Sequence, residues 1–272
     1  MSISVVSFVI LALLGSWLPQ VFSVRVFSNI AQSTRQCNER CGNISIPYPF
    51  YVNSRSCGVD GFILQCNNNT VRIEVNKLYY NVLSFSADGI IIDPLRSSCS
   101  KNLKGFNVKG MKNYAISISN FVQFSDCKNT TGCLLKCNIP MQSSNEQCLF
   151  DKTCCYPLLN GTIWHPGDYD FAHFARLQCQ SFISWVLTPT SIRLDAEYGL
   201  KLEWGIMGTC DDIRCDPNAV CANAVALKGV RCTCKDGYQG DGFHEGTGCV
   251  RGTVLGDFFI FVLVAKVSVS ID

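Results

Sequence analysis

Eighteen cysteines in 272 residues constrain this chain more than any other feature. The count is even and far above ordinary usage, and thiols at that density persist as bridges only in an oxidising compartment. Metal binding competes for the same residues, but it favours short Cys-x-x-Cys pairs with histidines nearby. The sequence has no Cys-x-x-Cys pair and three histidines, His165, His173 and His244. Disulfides are therefore expected. Twelve cysteines lie between Cys37 and Cys179 and six between Cys210 and Cys249, with none from 180 to 209. Each group can close its own bridges, which puts a boundary near Gly208. The first region is long enough to bury a core. The second, about 40 residues, needs its bridges to stay folded.

The ends and the sequons point to the secretory route. Residues 3–14 are an uncharged apolar run, and Pro19 and Val21-Phe22-Ser23 follow. This fits a signal peptide over 1–23, although its start lacks Lys and Arg, and an uncleaved anchor is the alternative. Asn43, Asn68, Asn129 and Asn160 each open an Asn-x-Ser/Thr sequon, so glycosylation on surface loops is expected there. The segment 250–272 is a short hydrophobic tail. Its apolar part, 254–264, is interrupted by Asp257 and is short of the roughly 20 residues a span requires. It reads as a truncated span, a marginal anchor or an unfolded tail, so membrane association stays open.

Between these ends the patterning is β. Val71, Ile73 and Val75 alternate with polar residues at the two-residue period of a half-buried strand. Residues 79–85 are rich in β formers, and Asp88-Gly89 marks a hairpin turn before Ile90-Ile91-Ile92. Tyr114, Ile116 and Ile118 alternate with small residues, and an apolar run continues over 121–124. One helix is expected within 166–187, capped by Asp168 or Asp170, because Phe171, Phe174 and Leu177 stand three apart. The expected fold class is mostly β and disulfide-rich, a cysteine-rich β region followed by a small stapled module.

Two strings carry a resemblance. Cys210-x4-Cys215-x5-Cys221-x10-Cys232-x-Cys234-x14-Cys249, with Gly237-Tyr238, Gly240, Gly242 and Phe243 inside it, resembles an EGF-like module. The resemblance implies the bridges Cys210–Cys221, Cys215–Cys232 and Cys234–Cys249; spacing alone allows 15 pairings of six cysteines. Upstream, Cys37-x3-Cys41-Gly-Asn-Ile-Ser-Ile-Pro-Tyr-Pro-Phe50, then Cys57-Gly58 and Gly61-Phe62-x-Leu64-x-Cys66, is similar to the galacturonan-binding domain of plant wall-associated receptor kinases. Cys127-x5-Cys133-x3-Cys137, the Cys154-Cys155 pair and Leu202-Glu-Trp-Gly-Ile206 extend the likeness. The implied organisation is a galacturonan-binding domain over 37–126, a cysteine-rich segment over 127–209 and an EGF-like module over 210–249. The implied ligand is pectin or an oligogalacturonide, bound outside the cell in the wall or at the outer face of the plasma membrane. The sequence carries no kinase phosphate loop, VAIK-like lysine, HRD or DFG string, so signalling would need a receptor kinase partner.

A polyanionic ligand calls for exposed cations. Residues 24–209 hold 17 basic against 13 acidic side chains (+4), and residues 210–250 hold 4 against 6 (−2). Arg96, Lys101, Lys104, Lys109 and Lys112 fall in a stretch with no acid between Asp93 and Asp126. They are the expected ligand contacts, since clustered Lys and Arg pair with carboxylates and concentrate a polyanion. A solvated loop face is the plainer alternative. Tyr48, in the Ile46–Tyr51 aromatic run, is either a sugar platform or, as the flanking prolines favour, a packed aromatic. No metal or cofactor is expected: residues 205–209, ahead of the EGF-like cysteines, offer no carboxylate, and Asp211 and Asp212 read as loop charges. His165 and His173 lie close in sequence to Asp168 and Asp170, which hints at acid–base chemistry, but no nucleophile motif accompanies them. The function expected is non-catalytic binding of pectin, with no nucleic-acid role. A protein-binding co-receptor or matrix glycoprotein acting through the EGF-like module is the alternative.

Overall fold

A computed structural model describes residues 37, 39–95, 103–133, 137, 152–160, 165, 168–189 and 194–251. The expected signal peptide, nearly all of the hydrophobic tail, Arg96, Lys101, Cys99 and Cys148 lie outside the described residues. Among the described residues no helix is long and apolar enough to cross a membrane.

Sixteen strands dominate the described residues. β1 (Arg40–Cys41) and β2 (Ile44–Ser45) form a short ribbon, followed by β3 (Gln65–Asn67), β4 (Thr70–Val75), β5 (Leu78–Ser86) and β6 (Gly89–Ile92). Then come β7 (Tyr114–Ile116), β8 (Asn120–Ser125), β9 (Cys154–Pro157), β10 (Ser181–Pro189), β11 (Leu194–Tyr198) and β12 (Leu200–Trp204). The C-terminal module holds β13 (Ala219–Asn223), β14 (Val230–Cys234), β15 (Tyr238–Gly240) and β16 (Cys249–Arg251). The larger sheet has the order β3-β4-β5-β6-β12-β7, the smaller β11-β10-β8-β9. Both sheets draw strands from either side of residue 126, so residues 65–204 are interleaved in space.

The alternation in β4 behaves as its period requires: Val71, Ile73 and Val75 are buried while Arg72 and Glu74 face outward. The helix expected within 166–187 is not formed. Ala172–Leu177 is a six-residue 3-10 helix, and Ser181 to Pro189 is strand β10. The three-residue spacing of Phe171, Phe174 and Leu177 suits the 3.0-residue turn of a 3-10 helix. Beyond it, β10 lies between β8 and β11 with residues 181–186 all buried, Ser181 and Ser184 included, and a run buried on both faces has no period to separate strand from helix.

One buried core runs through both sheets and into the C-terminal module. It joins Phe62, Tyr80 and Ile90 to Phe124 and Phe182, and it includes Cys232 and Phe243. Asn120, fully buried at the start of β8, ties the sheets together. Its Nδ2 donates to Ser117 O (2.8 Å) and Lys201 O (2.9 Å), and its Oδ1 accepts from Lys201 N (2.8 Å). Eight disulfides staple the described residues. In the first region they are Cys37–Cys57, Cys41–Cys66, Cys127–Cys179, Cys133–Cys154 and Cys137–Cys155, so adjacent Cys154 and Cys155 reach different partners. The module is closed by Cys210–Cys221, Cys215–Cys232 and Cys234–Cys249.

Candidate functional site

The segment 103–113 crosses the surface with its apolar side chains turned in. Phe106 and Val108 are buried, while Lys104, Lys109 and Lys112 are exposed. Backbone bonds hold this orientation: Leu103 N–H donates to Gln180 O (3.2 Å) and Val108 N–H to Tyr169 O (2.9 Å), around an Asn107–Asp170 bridge. The fixed backbone presents the lysines to solvent as a row.

Three depressions follow this row. The first, about 620 Å³, is walled by Lys104, Asn107, Lys128, Gln178 and Gln180 above the rings of Phe171 and Phe174. The second, about 590 Å³, is lined by Lys77, Lys109, Glu74 and again Asn107. The third, about 530 Å³, holds Lys112 and shares Glu74, Gly110 and Met111 with the second. Lys109 Nζ also lies 5.2 Å from the centroid of the Tyr169 ring, itself 40% exposed. The carboxylates in these walls are engaged. Asp170 accepts from Asn107 Nδ2 (3.1 Å) and Ala172 N–H (2.9 Å), Glu74 from the Tyr79 hydroxyl (3.0 Å), and Asp60 pairs with Arg55. Five lysines thus face three occupied carboxylates.

Three of the five expected basic residues therefore share this face, and Arg96 and Lys101 fall outside the described residues. Sequence reasoning missed Lys77, Lys128 and Tyr169. Lys77 sits in the β4–β5 turn at φ +63°, Lys128 follows β8, and Tyr169 precedes the 3-10 helix. Only the folded chain brings them to residues 104–112, and no local pattern marks them.

Tyr48 is placed elsewhere. Its ring is half-buried, 5.0 Å from that of Phe243 in the C-terminal module. It lines a separate cleft of about 520 Å³ with Glu39, Asp241 and Glu245. Burial, then the charges of Glu245 and Asp241, push its hydroxyl pKa up to about 12. Neighbouring Phe50 packs edge-on against Phe62 (5.5 Å) and Trp204 (5.7 Å), which is the packing role open to this aromatic run. Gly58 makes room for it, because a Cβ there would overlap Pro49 O and the Tyr51 ring.

The junction with the C-terminal module is polar and buried at its centre. Arg231 Nη1 donates to Glu203 Oε1 (3.1 Å), Trp204 O (2.8 Å) and Asp88 O (3.1 Å), with the paired side chains 9% and 4% exposed. Glu203 Oε1 also accepts from Val225 N–H (2.7 Å). The Ile206–Val230 bridge and the close approach of Gly205 to Gly229 complete the seam.

Of the sequon residues, Asn43, Asn68 and Asn129 are exposed on turns or loops, and the Asn160 side chain lies outside the described residues. Asn129 Oδ1 accepts from Thr131 Oγ1 (2.6 Å) and Thr131 N–H (3.1 Å). His173 Nε2 lies 3.3 Å from Asp168 Oδ1, and His165 N–H donates to Asp168 Oδ2 (2.8 Å).

These features define a class: a β-rich, disulfide-stapled scaffold carrying a small three-bridge module and a lysine-lined face. Comparison with known proteins narrows it. Residues 37–93 match the family model described as wall-associated receptor kinase galacturonan-binding, and residues 210–244 match an EGF domain model. A receptor-like protein kinase of Arabidopsis thaliana, described as "probably inactive", is 35% identical over 78% of this chain and 35% of its own length. Wall-associated receptor kinase 4 of the same plant is 24% identical over 80% of this chain and 35% of its own. Wall-associated receptor kinase-like 14, also of Arabidopsis thaliana, is 25% identical over 78% and 31%. The chain thus spans about a third of the length of these curated relatives, and their kinase domains are not covered. No solved structure matches. The chain has the make-up of a wall-associated-kinase-like ectodomain, a galacturonan-binding segment followed by an EGF-like module.

Proposed function

We propose that this chain binds pectin, as homogalacturonan, outside the cell and without catalysis, in the manner of a receptor ectodomain. The observation that carries this is the galacturonan-binding match over 37–93 in a stapled β scaffold. The exposed lysines supply the physical complement, since fixed cations in shallow clefts attract a polycarboxylate. The setting is the cell wall or the outer face of the plasma membrane, with the exposed sequons glycosylated and a receptor kinase as the signalling partner.

Titration of the secreted protein with polygalacturonate across a salt series tests this. Binding that weakens with salt and is lost on methyl-esterification is expected, with no new reducing ends formed. Absence of binding at low salt would refute it. A second function, protein contact through the EGF-like module, is favoured by its exposed Val220, Val225 and Val250. Capture of a receptor ectodomain that is lost when these valines become Ser would support that alternative.

A further inference from the structure

We infer that the three lysine-bearing depressions form one continuous track for a run of adjacent unesterified uronate sugars, with the Lys104–Lys128 cleft as its largest subsite. This rests on the pectin function proposed above and specifies where, and in what form, the polymer is read. Continuity comes from shared walls: Asn107 lines the first and second depressions, and Glu74, Gly110 and Met111 line the second and third. Lysines recur along the path, with Lys104 and Lys128 in the first depression, Lys77 and Lys109 in the second and Lys112 in the third. A polymer with one carboxylate per sugar can present an acid to each depression.

The first cleft offers more than charge. Asn107, Gln178 and Gln180 bring amides for a sugar's hydroxyls, held in place by the buried cluster of Phe106, Phe171 and Phe174 beneath them. Gln178 closes the 3-10 helix in the left-handed region (φ 51°, ψ 39°), its N–H donating to Ala175 O (3.0 Å), which leaves its side chain exposed at the cleft. Tyr169, beneath Lys109, adds a flat exposed ring beside the second depression. All the residues lining the first cleft fall between Leu103 and Gln180, beyond the segment matched by the galacturonan-binding model. The folded molecule thus places its richest sugar-binding chemistry outside the segment that names the activity.

The test is calorimetric titration of the full secreted chain with oligogalacturonides of increasing length at low salt. It uses Lys104→Gln/Lys128→Gln, Lys77→Gln/Lys109→Gln and, as a control in the Tyr48 cleft, Glu245→Gln. Wild-type affinity should climb with length and then level off once the track is filled. Lys104→Gln/Lys128→Gln should weaken the longest oligomer on the order of tenfold and flatten the salt dependence, and Glu245→Gln should not weaken it. Wild-type binding that persists within about twofold in both lysine double variants would overturn the track while leaving pectin binding intact. Failure of the wild type to bind any oligomer would refute the pectin function itself. Polyglutamate binding as tightly as oligogalacturonide of equal charge would also overturn the track, because the amides and the Tyr169 ring would then contribute nothing.

Discussion

Arg231→Ala should unlock the C-terminal module from the β region. The substitution removes a guanidinium that donates to Glu203, Trp204 O and Asp88 O from a site where both ion-pair partners are almost wholly buried. Removing one partner of such a pair costs about 3–5 kcal/mol, because the remaining charge stays desolvated without compensation. That is a large part of the roughly 5–15 kcal/mol that holds a domain folded. Glu203 retains its bonds from Val225 and Ala226 N–H, which puts the expected cost toward the lower end, about 3 kcal/mol. Urea unfolding with the disulfides intact, followed by tryptophan fluorescence, provides the assay. Trp204 is the local reporter, lying 6.0 Å beneath Arg231 and 6.3 Å from Phe243. The wild type should unfold in one transition, and Arg231→Ala should show the module releasing earlier. Arg231→Met with Glu203→Gln should recover about 1–3 kcal/mol relative to Arg231→Ala, because no buried charge is left unpaired and Gln can still accept the Val225 N–H. A loss below about 1 kcal/mol in Arg231→Ala, or no recovery in the double variant, would refute the reasoning.

Asn120→Leu keeps the branched outline but leaves Lys201 N–H without its acceptor in the core, while Lys201 O and Ser117 O keep only the backbone donors Ser117 N–H and Asn120 N–H, so it should cost about 2 kcal/mol in the same unfolding assay. Asp88 supports the fold in a pH-dependent way. Burial opposes its ionisation, but Lys201, at 2.8 Å, together with Ser86 and Arg231, outweighs burial and holds its pKa below the usual carboxylate value. Its stabilisation is therefore present above about pH 4 and is lost as pH falls through the depressed value; Asp88→Asn should flatten the acid limb of unfolding midpoint against pH. Gly240→Ala should block correct oxidation of the C-terminal module, because Gly240 has φ +144° and a Cβ there would overlap Gly248 O. Disulfide mapping of the secreted variant checks this, and native pairing at wild-type yield would count against it.

The sequence by itself determined the chemistry of the scaffold. Cysteine number and grouping forced a disulfide-stapled chain, because thiols at that density persist as bridges, and the two-residue period of Val71, Ile73 and Val75 marked a strand and fixed which side of β4 is buried. Strings such as Cys41-Gly-Asn-Ile-Ser-Ile-Pro-Tyr-Pro-Phe50 carried the family likeness, since residues packed beside a disulfide are constrained locally and leave a readable trace. The conformation of 181–186 was not legible, because a fully buried run takes its geometry from the strands on either side and β8 is distant in sequence. The gap between Cys179 and Cys210 suggested separable modules, yet Arg231, Glu203, Tyr48 and Phe243 join them through contacts spanning up to 195 residues. The candidate site divides in the same way. Lys104, Lys109 and Lys112 stand out as a local charge run, but Lys77, Lys128, Tyr169 and Gln178 reach the same face only through sheet pairing and the 103–109 to 168–180 contacts. Charge composition is a local property that a sequence displays directly. A binding surface is a set of distances, and tertiary structure sets those.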